Sequence, residues 1–260
     1  MPSVRRATVV AHGRPERVAE ARATVDRLAA EAAVELTDGD DVELAIVLGG
    51  DGTMLRALKR FLGTAVPVLG VNFGRVGFLA GVPQDDLEGG LRRAFDGDFV
   101  TVELPTLEAE LGGGLHPAVN DVVAASSSLG RMVELSWAIA GEELGSVPCD
   151  GLICCTPTGS TAYNLSNGGP VLVWGLDAMA ITFVAPHSLD ARPLVVPKGR
   201  DLVVRNKTPD VSVTVLVDGH EVGELRTGET FIVGLGPQRS RLATLPEATF
   251  FTRYRDTFAS

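Results

Sequence analysis

The chain has 260 residues, 45% of them apolar, enough for one large domain or two modest ones with real cores and too apolar for a disordered chain. Its formal net charge is −10, with 3 Lys against 20 Arg, so no basic face for nonspecific nucleic-acid binding is readily assembled. Cys149, Cys154 and Cys155 lie close together with no paired CxxC pattern and no histidine at zinc spacing, and read as buried reduced thiols.

The segment Met1 to Val10 carries Arg5 and Arg6 but only a short apolar run without a small-residue cleavage site, which reads against a signal peptide. Ala7 to Ala11 predicts a first strand. A helix to about Ala33 follows, with Val18, Ala21, Val25, Leu28 and Ala29 on one face. The apolar run Leu44 to Leu48 predicts a strand buried on both faces. It runs into Gly49-Gly50-Asp51-Gly52-Thr53 and then a helical pattern through Met54, Leu55, Ala57 and Leu58. Pro67 introduces a short strand at Val68 to Val71, and a helical segment spans about Asp85 to Phe95. This alternation predicts a parallel sheet with flanking helices, in which ligands bind beyond the carboxyl ends of the strands.

From Phe99 the pattern changes to short β-rich runs separated by turn residues. The runs are Val100 to Leu111, Ala118 to Ala125, Val133 to Ala140, Gly151 to Cys155, Ala180 to Val184, Val211 to Val217 and Phe231 to Leu235. They predict stacked antiparallel sheets. The expected division is an α/β domain at 1–99, a β-rich domain at 100–236 and a C-terminal tail at 237–260 that packs back on the first domain. Residues 170–186 are apolar but interrupted by Gly175 and Asp177, too short and broken to cross a bilayer. A cytoplasmic protein without membrane partners is expected.

Two stretches carry the chemistry. Glycines in the Gly49–Thr53 loop let backbone approach a bulky anion, and the first amides of the next helix point at it; alternatively Asp51 and Thr53 cap that helix. From Asp150 to Pro170 a strand enters a loop rich in hydroxyls and amides, a set of donors and acceptors suited to a sugar, phosphate or amide, or else to capping a short helix near Thr161.

Taken together, Gly49-Gly50-Asp51-Gly52-Thr53 and, about a hundred residues later, Thr156-Pro157-Thr158-Gly159-Ser160-Thr161-Ala162-Tyr163 resemble the NAD kinase family. The likeness extends to Asn72-Phe73-Gly74-Arg75-Val76-Gly77-Phe78-Leu79, Asn120-Asp121, Pro186-His187-Ser188-Leu189, Arg192-Pro193-Leu194-Val195 and Val217-Asp218-Gly219-His220, all in the family's order. The glycine motif alone is shared with diacylglycerol and sphingosine kinases, so a lipid or sugar kinase is the nearest alternative. A non-catalytic NAD(H)-binding sensor is the other.

The resemblance implies phosphoryl transfer from ATP, or polyphosphate, to the 2′-hydroxyl of the adenosine ribose of NAD, with a divalent metal, Mg2+, and a homodimer or homotetramer. Asp51 would orient and deprotonate the hydroxyl, with Gly52 beside the phosphates and Arg56 pairing with them. Asn120 and Asp121 match the pair that contacts NAD, although many members have Glu where this chain has Asp121. Asp150 matches a carboxylate near the nicotinamide end. Thr161, Ala162, Tyr163, Asn164 and Ser166 match the segment that holds the second nucleotide portion, with Tyr163 a stacking face. Arg131 and His220 match polar contact positions, and Ala185 lines the pocket by its backbone. Pro148 is a departure, since many relatives carry Arg or Lys there.

Overall fold

The computed structural model describes residues 3–12, 15–72 and 77–259. The expected contribution of Phe73-Gly74-Arg75-Val76 lies outside the described residues. The chain divides into two compact units, Met1–Glu103 with Arg239–Ser260, and Leu104–Gln238.

The first unit is built on a parallel sheet in the order Glu35–Leu36, Arg6–Ala11, Leu44–Gly49, Val68–Asn72. Beyond Val68–Asn72 lie Val82–Pro83 and the end of the long strand Thr230–Thr244, where Leu242 pairs with Val68 and Ala243 with Leu69. All six residues of Leu44–Gly49 are buried, as expected of a strand covered on both faces. Leu44, Ile46 and Leu48 share one core with Ala21, Val25 and Leu28 of helix Pro15–Glu31 and with Leu91, Ala94 and Phe95 of helix Leu87–Phe95. The helical spacing of those residues turns one face of each helix inward. Burying each such Leu or Ile contributes about 1.5–3 kcal/mol. The helix expected from Asp85 starts two residues later, after a 3-10 turn at Gln84–Asp86.

The second unit holds two antiparallel sheets. One has six strands in the order Leu194–Pro197, Ala178–Val184, Gly151–Cys155, Asp121–Ser126, Val213–Val217, His220–Leu225. The other runs Glu142–Cys149, Val133–Ile139, Leu202–Asn206 and the start of Thr230–Thr244. Their facing sides form one core, with Val122, Ala124, Leu152 and Cys154 from the first sheet and Leu135, Val204, Phe231 and Val233 from the second. The opposite side of the six-stranded sheet presents Val123, Ile153, Cys155 and Ala180 to a smaller core closed by Leu172. The two-residue period of the strands thus sends Cys154 and Cys155 to opposite faces. All three thiols are free and buried, and burial pushes those of Cys149 and Cys155 up to about 12.

Two expected runs differ in extent. Ala118 to Ala125 is two strands, Gly114–Ala118 and Asp121–Ser126, broken at Val119-Asn120. Phe231 to Leu235 is only the start of a strand of 15 residues. Among the described residues no helix is long and apolar enough to cross a membrane.

Candidate active site

Asp51 is the first residue of helix Asp51–Arg60, and the residue before it, Gly50, makes no side-chain cap. Its carboxylate serves another segment. The backbone N–H of Phe78 donates to Oδ2 at 2.9 Å and that of Leu79 to Oδ1 at 3.2 Å. Two amides therefore fix the plane of the carboxylate while each oxygen keeps a lone pair. A Cβ at Gly77 would collide with Asp51 Oδ1, so any side chain there would displace the carboxylate. Gly52 and Arg56 are exposed on the first turns of the same helix.

The carbonyl side of the 78–80 segment is held as well. Buried Arg253, on helix Phe250–Phe258, donates through Nη1 to the carbonyls of Phe78 at 3.0 Å and Ala80 at 2.8 Å. Its Nη2 donates to Thr244 Oγ1 at 2.8 Å and its Nε to the Ala248 carbonyl at 3.3 Å. Burial lowers the guanidinium to about 10, and the charge of Asp51 opposes that shift. The Phe78 ring packs edge-on against Phe250 and stacks on Phe258. A cavity of about 230 Å³ lies here, lined among others by Gly77, Ala80, Gly81 and Arg253.

In the second unit the Val119-Asn120 turn and the Thr156–Ser160 loop are tied together. Asn120 accepts the Thr156 N–H at 2.9 Å on its carbonyl, and Thr156 Oγ1 donates to the Val119 carbonyl at 2.6 Å. The Gly159 N–H donates to Thr156 Oγ1 at 3.1 Å. A Cβ at Gly159 would collide with the Asn120 carbonyl, so this crossing requires glycine. The turn is gripped from its other side by Asp218, whose carboxylate accepts the N–H groups of Val119 at 3.0 Å and Asn120 at 2.7 Å. Asp218 and Gly219, with φ of 49° and 78°, form a two-residue hairpin loop closed by the Val217–His220 pair, the setting Asp-Gly favours.

Asp121 opens the strand behind this turn and is buried. Desolvation, reinforced by the negative charge of Asp218, pushes its carboxyl up to about 7. Asn120 Oδ1, on the residue before Asp121, and Thr158 Oγ1 are buried oxygens with no hydrogen-bond partner among the described residues. Orphaned acceptors on two segments tied to one another suit a ligand with hydroxyl or amide donors.

The remaining expected residues divide by exposure. Tyr163, Ser166, Asp150, Arg131, Ala185 and His220 are exposed, and Thr161 and Ala162 are half-buried. Tyr163 leaves 46% of its surface open, which gives an aromatic face. Ala185 follows strand Ala178–Val184 at φ 44°, a strained conformation for alanine. The amide of Asn164 is committed internally, donating to the carbonyls of Ser160 and Pro170 and accepting from Thr182 Oγ1 at 2.7 Å. His220 Nδ1 sits 3.0 Å from the Asp218 carbonyl. Pro148 is exposed on Glu142–Cys149, and its carbonyl accepts the His187 N–H. Sequence reading passed over Arg253 and the carboxylate of Asp218, although the Asp-Gly pair at Asp218 was a signal.

The chain matches the model of the ATP-NAD kinase N-terminal domain at residues 5–99 and that of the ATP-NAD kinase C-terminal domain at residues 119–245. An NAD kinase of Gemmatimonas aurantiaca is 41% identical over 232 residues, covering 87% of this chain and 80% of the relative. One of Heliobacterium modesticaldum is 39% identical over 220 residues, covering 83% and 78%. A crystal structure of an NAD kinase from Archaeoglobus fulgidus in complex with ATP superposes with a TM-score of 0.79 at 26% identity, covering 98% of this chain and 97% of that one. Yeast NADH kinase complexed with NADH superposes at 0.84, over 99% of this chain and 88% of that one, and at 20% identity speaks for the fold. The Asp51 loop falls inside the first matched domain and the Thr156–Tyr163 segment inside the second, and the chain belongs to the ATP-NAD kinase family.

Proposed function

We propose that the chain transfers the terminal phosphoryl group of ATP to the 2′-hydroxyl of the adenosine ribose of NAD, giving NADP and ADP. The observation that carries this reading is the Asp51 carboxylate, fastened by the Phe78 and Leu79 amides instead of capping its own helix. It is thereby oriented to receive a hydroxyl proton. The hydroxyl oxygen forms a bond to the terminal phosphorus as the bridging P–O bond to ADP breaks, and the proton passes to Asp51. In phosphoryl transfer a protein contributes mainly placement and charge stabilisation. A carboxylate is a weak base near neutrality, so proton acceptance comes late and orientation is the larger share.

Asn120, Asp121 and Thr158 are the residues proposed to take the ribose and adenine of NAD, with the orphaned oxygens of Asn120 and Thr158 facing its hydroxyl and amino donors. Tyr163 supplies a stacking face for the second nucleotide portion, flanked by Thr161, Ala162 and Ser166. Asn164 would act through the shape of that segment, since its amide is already satisfied. Asp150, Arg131, Ala185 and His220 are contact positions proposed from the family pattern alone, as are Gly52 and Arg56 at the phosphates.

Among the described residues no group of three His, Cys, Asp or Glu side chains is arranged to hold a metal. That fits Mg2+ arriving with the nucleotide, because this ion keeps several waters and takes most of its protein-site ligands from phosphates and one or two carboxylates. When bound it neutralises phosphate charge. A cytoplasmic homodimer or homotetramer completes the proposal.

The test is incubation of purified protein with magnesium and either ATP or polyphosphate, against NAD, NADH or a diacylglycerol. NADP formation from NAD and ATP is expected; its absence overturns the proposal, and phosphorylation of the lipid would replace it.

A further inference from the structure

We propose that Arg253 is a positioning residue for phosphoryl transfer, acting through residues 78–80 to set the Asp51 carboxylate. The inference rests on Asp51 being the proton acceptor.

Three consecutive residues, Phe78, Leu79 and Ala80, are clasped from two directions. Their N–H groups at Phe78 and Leu79 reach Asp51, and their carbonyls at Phe78 and Ala80 reach Arg253 Nη1. This segment has only irregular structure and lies between two short strands, so no sheet ladder holds the two amides in place. The guanidinium does. Its planar fork bonds four acceptors at once, two on the segment, one on Thr244 and one on the Ala248 carbonyl. A lysine ammonium brings three donors from a single nitrogen and cannot span the same set.

Arg253 is 9% exposed, and its burial weakens its hold on the proton. A cation taken out of water is retained at a cost unless every donor is used. An exposed helix such as Phe250–Phe258, with Phe251, Tyr254 and Phe258 partly in solvent, has no packing need for a charge on its inner side. An apolar residue would seat the helix equally well. The arginine is needed by what it holds, and what it holds is the backbone that orients Asp51.

The clasp predicts a particular kinetic signature. Loosening residues 78–80 lets the carboxylate turn away from the attacking hydroxyl without altering the second unit's contacts to NAD. Displacements of about 1 Å at a reacting group cost on the order of 100-fold in rate.

The experiment compares wild type with Arg253→Lys, Arg253→Met and Thr244→Val, using steady-state kinetics, thermal melting and amide hydrogen exchange followed by mass spectrometry. Expected for Arg253→Lys is a kcat reduced roughly ten- to 100-fold with KM for NAD within about threefold of wild type. Exchange over residues 77–81 should rise at least about tenfold, with the second unit unchanged. Thr244→Val should show the same pattern in weaker form. If Arg253→Met does not fold, the other two variants decide the matter. Unchanged exchange over residues 77–81 overturns the proposal, and so does raised exchange with kcat within twofold of wild type. A kcat loss that only tracks the unfolded fraction does so too. Asp51→Asn is run alongside: turnover equal to wild type there would overturn the assignment of Asp51, while the exchange data would still report whether Arg253 holds the segment.

Discussion

Asp218 Oδ1 accepts the backbone N–H of Asn120 at 2.7 Å, across 98 residues of chain, while Oδ2 takes the N–H of Val119. One carboxylate therefore sets the turn that carries Asn120 and presents Asp121. Oδ1 also takes the N–H of Asp121 at 3.4 Å, so in Asp218→Asn at least one of the three amides would face a nitrogen instead of an oxygen. The variant should lose about 1–3 kcal/mol of stability in urea unfolding and bind NAD at least about tenfold more weakly.

The coupling of Asp121 to Asp218 gives a pH dependence. Its carboxyl titrates at about 7 in the folded chain, raised by burial and the neighbouring charge, against an ordinary value near ~3.9 when unfolded. Between about pH 4 and pH 7 the folded state keeps a proton that the unfolded state has lost, so this group's contribution falls as pH rises through that window and is lowest above it. The span amounts to up to about 4 kcal/mol. Asp121→Asn should therefore be more stable than wild type at pH 8, with the difference closing towards pH 4 in denaturant titrations at each pH. The same variant should bind NAD poorly.

Thr158 makes an opposite pairing of stability and affinity. Its Oγ1 is buried without a partner among the described residues, so Thr158→Val removes an unsatisfied polar atom at nearly constant shape. Thermal unfolding without ligand should show equal or higher stability, by up to about 1 kcal/mol, while NAD affinity measured by calorimetry falls about ten- to 100-fold. Equal affinity would show that the ligand does not use this oxygen.

Asp51→Asn preserves the size of the side chain and removes the proposed proton acceptor. Turnover should drop by about 100- to 10,000-fold with NAD binding retained. Lost binding would make the residue's role structural.

Much of the first unit was legible because its signals are periodic: the fully buried run Leu44–Gly49 and the spacing of Ala21, Val25, Leu28 and Ala29 leave little choice of element. The strand Glu142–Cys149 was invisible because six of its eight residues are exposed, with Gly145 at φ 105° breaking the register. The rest of Thr230–Thr244 was hidden because Gly236, Pro237 and the polar residues after them end the apolar run at Leu235, although they lie within the strand. In the site, Asp51 stood out because glycines frame it. Arg253 could not, since an arginine in an amphipathic helix reads as a solvated charge and only tertiary contacts reveal its burial. Asp218 was visible as half of an Asp-Gly turn, but its service to Val119 and Asn120 lies in contacts remote in sequence.

Residues 239–260 belong to the first unit, yet they leave the ribosome after the whole of the second. Domains form as their residues become available. A nascent chain can thus complete the Leu104–Gln238 sandwich while the sheet edge at Val68 still lacks its neighbours Leu242 and Ala243 and while the Phe78–Ala80 carbonyls still lack Arg253. Order of synthesis therefore puts the clasp last: a chain interrupted before Arg253 carries the whole sequence of the second unit, while the Phe78 and Ala80 carbonyls, on the segment whose two amides hold Asp51, stay without their guanidinium.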